Sequence, residues 1–225
     1  MSLSQISLFS GLSEQAIAAI EHRMSMRSFP KNSILISEGD RSSTLYFILS
    51  GRVKVYVSDD NGREFILNTL DAGDYFGELG ILDDENRTAT VMALEPVSFK
   101  ILQKKDFDSL RKEFPEIDQA LILNLVRRVR QLTDNVKTLA LHDVYGRIRK
   151  LFQHLSDKDK EHQKENSTKE NSTMIREKLT QQEIANRVGS SREMVARILK
   201  DLEEGGYIRM EKKQLEVLKA LPEHY

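Results

Sequence analysis

The stretch Phe76–Val91, FGELGILDDENRTATV, gathers Gly77, Glu78, an isolated Arg87 and Thr88 into one short segment. A glycine that permits close backbone approach, a carboxylate, a guanidinium and a hydroxyl are not the nucleophile, base and oxyanion donors of a bond-breaking site. They suit a bound phosphate ester beside a ribose. The same residue types also form a surface ion pair on a structural turn, worth little energetically. A second set lies near the C-terminus, where Arg192, Glu193 and Arg197 follow a Gly-Ser-Ser turn. Arginine pairs bidentately with guanine and glutamate accepts from cytosine N4, so this set suits the edges of DNA bases.

Composition restricts the remaining chemistry. The chain has 225 residues and a formal net charge of −1, so any nucleic-acid contact must rest on a local patch rather than a global basic field. It has no Cys, which excludes disulfides, iron–sulfur clusters, thiolate haem ligation and a cysteine nucleophile. No P-loop, metal cluster or nucleophile–base set is present, and no enzymatic activity and no metal are expected. There is no apolar run of about 18 residues and no secretory leader pattern, so a cytoplasmic protein without a membrane partner is expected.

The elements that must position the first set are short and β-rich. From Phe29 to about Leu102, runs of Ile, Val, Phe, Tyr and Thr alternate with Gly-containing turns at Gly39-Asp40, Ser50-Gly51, Asp60-Asn61-Gly62 and Ala72-Gly73-Asp74. Val53, Val55 and Val57 alternate with Lys54 and Tyr56. This texture predicts a β-barrel or sandwich. Leu8, Leu12, Ile17, Ile20 and Met24 predict a helical opening over 8–24.

From Asp106 the period becomes helical. Ile122, Leu125, Val129, Leu132, Val136 and Leu139 form a heptad seam, and no Gly or Pro interrupts 116–145. A helix of about 30 residues spans about 45 Å, more than a small domain needs. Such a narrow stripe pairs with a second copy of the chain or lies on its own β domain. Residues 156–173, SDKDKEHQKENSTKENST, are polar throughout and predict a flexible segment.

The second set belongs to LTQQEIANRVGSSREMVARILKDLE, residues 179–203. Thr180 and Glu183 make a capping box, Gly189 ends the first helix, and Ser190 or Ser191 caps the second. Two short helices joined by a tight turn predict a helix-turn-helix, and YIRMEKKQLEVL after Gly205-Gly206 adds a β-hairpin wing. Surface charges on an ordinary small helical domain are the alternative.

The segments 39–56, 73–91, 139–151 and 179–203 together resemble the cyclic AMP receptor protein (CRP/FNR) family of bacterial transcription regulators, over essentially the whole chain. The resemblance implies an α+β fold with an N-terminal cyclic-nucleotide-binding β-roll (1–115), a long dimerisation helix (116–150) and a C-terminal winged helix-turn-helix (151–225). It implies cyclic AMP as an allosteric ligand held by Gly77, Glu78, Leu79, Arg87, Thr88, Leu132 and Thr133. Glu78 would accept from the ribose 2′-hydroxyl, Arg87 would pair with the phosphate, and Thr88 would add a bond. Where cyclic-AMP-responsive members carry adjacent hydroxyls for the adenine amino group, this chain has Leu132 and Thr133. Losing one such bond weakens discrimination by about 1 kcal/mol, so cyclic GMP, cyclic di-GMP or a ligand-independent regulator are the alternatives. The implied DNA readers are Thr180, Gln181, Ser191, Arg192, Glu193, Arg197 and Lys200. The implied partners are double-stranded DNA with palindromic TGTGA-like half-sites, a second copy of the chain, and RNA polymerase. Without Cys the chain falls outside the oxygen-sensing iron–sulfur branch and lacks the thiolate of the carbon-monoxide-sensing haem members.

Overall fold

The computed structural model describes residues 6–9, 11–41, 43–162 and 173–223. Contacts divide the chain into Met1–Leu132 and Thr133–Tyr225.

In the first unit a 3-10 turn at Ser7–Phe9 precedes α1 (Glu14–His22). The predicted continuous helix over 8–24 is thus two pieces, because Gly11 adopts φ +95° and Ser13 caps a fresh start. Eight strands follow: β1 (Ser25–Phe29), β2 (Ile34–Ile36), β3 (Thr44–Ser50), β4 (Val53–Ser58), β5 (Glu64–Leu70), β6 (Tyr75–Phe76), β7 (Thr90–Ala93) and β8 (Val97–Gln103). They form two four-stranded antiparallel sheets, ordered β1-β8-β3-β6 and β2-β7-β4-β5. The four predicted turn glycines, Gly39, Gly51, Gly62 and Gly73, all have φ between +73° and +98°. The alternation predicted along β4 fails halfway. A register shift between Val55 and Tyr56 moves the buried face by one residue, so Val53 and Tyr56 point inward while Val55 and Val57 are only half-buried.

Aromatic rings fill the space around these sheets. Tyr46 stacks on Phe76 at 4.9 Å, and both meet the edge of Phe99, at 5.8 and 5.6 Å. Such pairs add about 0.5–1.5 kcal/mol each beyond the area they bury. Between β6 and β7 lies a single helical turn, α2 (Leu79–Leu82), and α3 (Lys104–Glu113) follows β8.

The helix α4 runs Glu116–Leu141, 26 residues and so about 39 Å. It stops short of the expected 150 because Asp143 opens a new helix, accepting from the Gly146 N–H at 2.7 Å. Its buried stripe, Ile117, Leu121 and Asn124, packs on the β domain.

In the second unit, α5 spans Val144–His162. Residues 156–162, expected to be flexible, continue this helix, because Phe152, Leu155 and Ser156 lie buried against the unit's core and carry the helical phase forward. The remainder of that polar stretch, 163–172, lies outside the described residues, and Thr173 opens β9 (Thr173–Ile175). Next come α6 (Gln181–Val188), α7 (Arg192–Glu204), β10 (Ile208–Glu211) and β11 (Gln214–Val217). The hairpin β10–β11 turns through Lys212 and Lys213, both at positive φ, and β9 adds a third strand to its edge. Tyr145, Ile148 and Phe152 of α5 pack with Ile184, Val195 and Leu199 into one core.

Candidate functional site

The first set of residues converges. Strand β6 ends at Phe76, and Gly77 then turns with φ +89°, a conformation a side chain resists. A Cβ there would sit 2.8 Å from both Arg87 Nη1 and the Thr44 carbonyl, so sterics as well as φ demand glycine. The turn delivers Glu78 to the start of α2, where its side chain makes no capping bond and is 2% exposed.

Arg87 returns to the same place from the loop after α2. Its backbone is locked to the turn before β3: Gly39 N–H donates to the Arg87 carbonyl and Arg87 N–H to the Asp40 carbonyl, each at 2.9 Å. Its side chain is buried, with Nη1 donating to the Gly77 carbonyl at 2.6 Å and Nη2 to the Thr44 carbonyl at 2.7 Å. Burial pushes the guanidinium pKa down, and the neighbouring Tyr46 and Glu78 oppose that shift. Leu79 and Thr88 are exposed at the edges of this cradle.

Sequence reasoning missed Arg128. Its Nη1 donates to Glu78 Oε1 at 2.5 Å, its Nη2 to the Tyr75 carbonyl at 2.6 Å, and its guanidinium carbon lies 4.4 Å over the Tyr75 ring. Arg127, Arg128 and Arg130 look alike in sequence. The signal that separates Arg128 is helical phase: it continues the stripe Ile117, Leu121, Asn124 that faces the β domain, one turn beyond the buried Asn124. Tyr75 is buried, and burial above all pushes its phenol up to about 12. Two guanidinium groups around one carboxylate leave an excess of positive charge, which suits an anionic ligand carrying a hydroxyl for the carboxylate.

Leu132 closes the first unit and is 53% exposed; Thr133 opens the second and is also exposed. Of the predicted seam, Ile122, Val129, Leu132, Val136 and Leu139 are exposed. Leu125 is not: it is half-buried against the core of its own β domain, and Val126 is exposed on the helix beside it. Leu125 lies four residues after buried Leu121, at the edge of the stripe that faces the domain.

In the second unit the capping box forms as expected. Thr180 Oγ1 accepts from the Glu183 N–H at 3.1 Å, and Glu183 Oε2 accepts from the Thr180 N–H at 2.6 Å. Gly189 ends α6 at φ +63°. Ser191 rather than Ser190 caps α7, its hydroxyl accepting from the Met194 N–H at 3.2 Å. The spacing of Val195, Ile198, Leu199 and Leu202 buries one face of α7 and leaves Arg192, Glu193, Arg197 and Lys200 exposed on the other. Lys200 Nζ lies 3.6 Å from Glu204. Half-buried Thr180 and Gln181 line a cavity of about 450 Å³ with Arg192, Met210 and Lys213, at the junction of the helix pair and the wing.

Comparison with known proteins agrees with both halves. Residues 26–114 match the family described as "Cyclic nucleotide-binding domain", and 146–220 match "Crp-like helix-turn-helix domain". A Mycobacterium tuberculosis protein named "CRP-like cAMP-activated global transcriptional regulator" is 33% identical over 214 residues, covering 95% of this chain and 92% of its own. The chain belongs to the CRP/FNR family. The Pseudomonas aeruginosa "cAMP-activated global transcriptional regulator Vfr" is 36% identical over 195 residues, covering 85% of this CRP/FNR chain and 88% of its own. Among solved structures, the Xanthomonas campestris "c-di-GMP Responsive Global Regulator CLP" superposes with a TM-score of 0.79 at 25% identity, covering 93% of this chain and 100% of that one. This member is therefore a DNA-binding transcription regulator built from a cyclic-nucleotide-binding domain, a long helix and a winged helix-turn-helix. Among the described residues no group of His, Cys, Asp and Glu is arranged to hold a metal ion, and no helix is long and apolar enough to cross a membrane.

Proposed function

We propose that cyclic AMP gates DNA binding by this CRP/FNR regulator. The observation that carries the reading is the convergence of buried Glu78 and Arg87 and half-buried Arg128 on the Gly77 turn, with an excess of positive charge. In this reading Arg87 pairs with the cyclic phosphate, Glu78 accepts from the ribose hydroxyl while Arg128 holds its carboxylate in place, and Leu79 and Thr88 flank the ligand. The base is left to Leu132 and Thr133, of which only the threonine can hydrogen-bond. The Mycobacterium and Pseudomonas relatives, both named as cAMP-activated, support cyclic AMP over other nucleotides. The Xanthomonas structure favours one second reading, cyclic di-GMP as the ligand of the same cradle.

The exposed stripe of α4 is the surface for a second copy. The resulting dimer carries two α7 helices to successive major grooves of a palindromic, TGTGA-like site. There Arg192, Glu193 and Arg197 read base edges, Lys200 meets phosphate, and Thr180, Gln181 and Ser191 fix the helix ends against the backbone. RNA polymerase is a further partner, a cytoplasmic location follows from the DNA target, and no catalytic step is involved.

The test is calorimetric titration of the purified protein with cyclic AMP, cyclic GMP and cyclic di-GMP. Cyclic AMP should bind tightest, and Arg87→Lys should weaken it about 10- to 100-fold, the value of a charge-assisted bond pair. Tightest binding of cyclic di-GMP selects the second reading. No heat with any nucleotide, from a folded protein that still binds DNA, refutes gating.

A further inference from the structure

The helix α4 breaks at His142-Asp143, yet the two units meet inside α4, between Leu132 and Thr133. The last two turns of α4 therefore belong with the DNA-reading unit, and side chains of α5 hold them there. Arg147 Nη1 donates to the carbonyls of Leu139 and His142 at 3.5 and 3.3 Å, and its Nη2 donates to the carbonyl of Gly189 at 3.4 Å. Lys150 Nζ donates to Thr138 Oγ1 at 3.1 Å. Gly146 permits this close packing: a Cβ on it would lie 3.1 Å from Asp143 Oδ1 and 3.2 Å from His142 Cβ.

The electrostatics favour the arrangement. Leu139 and His142 lie at the C-terminal end of α4, and Gly189 is the left-handed residue that ends α6. Both helix ends present carbonyls without intrahelical partners and a partial negative charge. One guanidinium, planar and permanently charged, satisfies both ends at once. Gly189 also begins the turn into α7, so its position sets where α7 starts.

We infer that Arg147 is a positioning residue that clasps the end of α4 to the helix-turn-helix turn, making residues 133–141 a rigid arm of the reader and coupling any ligand-driven displacement of that arm to α7. The coupling half of this inference rests on the nucleotide-gated reading above; the clasp itself does not.

Two measurements on the full chain test it, comparing wild type, Arg147→Ala and Arg147→Lys. The first is amide hydrogen exchange without nucleotide. Arg147→Ala should raise exchange in 139–143 and in 189–192 together, by about tenfold, with the β domain unchanged. The second is the gain in affinity for a TGTGA-palindrome duplex on adding cyclic AMP. Arg147→Ala should shrink that gain by about tenfold while cyclic AMP affinity stays within about twofold, and Arg147→Lys should restore part of it. Unchanged exchange in either segment overturns the clasp, and an unchanged gain overturns the coupling. If wild type shows no gain with cyclic AMP, the gating reading and the coupling fall together, and exchange alone decides the clasp. Should Arg147→Ala not fold, Arg147→Gln takes its place under the same criteria.

Discussion

Single side chains in the cradle hold the fold together as well as shaping the site. Arg87 is bound to two carbonyls from separate segments, so it ties β3 to the Gly77 turn. Tyr75 shows the opposite economy. Its ring packs against Phe47 and beneath Arg128, but its buried hydroxyl finds no hydrogen-bond partner among the described residues. A buried unsatisfied hydroxyl costs about 1–3 kcal/mol, and phenylalanine fills the same shape without it. Tyr75→Phe is therefore expected to raise stability by about 1 kcal/mol, seen as a higher urea midpoint at unchanged slope. A lower midpoint would show that the hydroxyl is satisfied in solution.

At the scale of elements, the α1–α4 contact illustrates one residue serving two helices. Ser13 is the N-cap of α1, and both its N–H and its hydroxyl donate to Glu116 Oε1, at 2.9 and 2.6 Å. Glu116 in turn lies in the first turn of α4. These bonds, the hydroxyl's first, hold the Glu116 carboxyl below its ordinary pKa. A carboxylate depressed in the folded state stabilises above its unfolded pKa, and that stability is lost as pH falls through the folded value. Glu116→Gln should thus lower the urea midpoint at neutral pH, and the midpoint should fall less steeply between about pH 5 and pH 3 than in wild type, so that the two converge in acid. Equal slopes would remove Glu116 from the acid response. The β-bulge at Val55/Tyr56 belongs to this scale too: it moves the buried face of the strand by one residue from where strict alternation places it.

For the whole molecule, the exposed stripe of α4 is the dominant feature. Ile122, Val129, Leu132 and Val136 are between 53% and 64% exposed in the single chain, along one helix. Contiguous apolar surface of that kind marks an interface. Val136→Asp places a charge on the exposed stripe. It is expected to convert dimer to monomer in sedimentation at micromolar concentration and to weaken palindrome binding by about 100-fold or more, since one half-site then binds alone. A variant that stays dimeric would move the interface elsewhere.

The two candidate sets and the elements that carry them were legible in the sequence because their signals are local. Gly77, Gly189, the Thr180–Glu183 capping box and the apolar face of α7 each follow from backbone geometry or hydrogen bonding within a few residues. The family resemblance rests on the same short segments. Tertiary structure alone decided what depends on contacts between distant segments. It brought Arg128 to Glu78 across fifty positions and Arg147 to Gly189 across forty-two. It also turned Leu125 into its own domain, and it carried α5 through residues whose polarity predicted no helix. The physical reason is common to all four. A helix shows its periodicity in sequence, but which residue meets a neighbour is set by its rotational phase against the rest of the fold, and no local pattern specifies that phase.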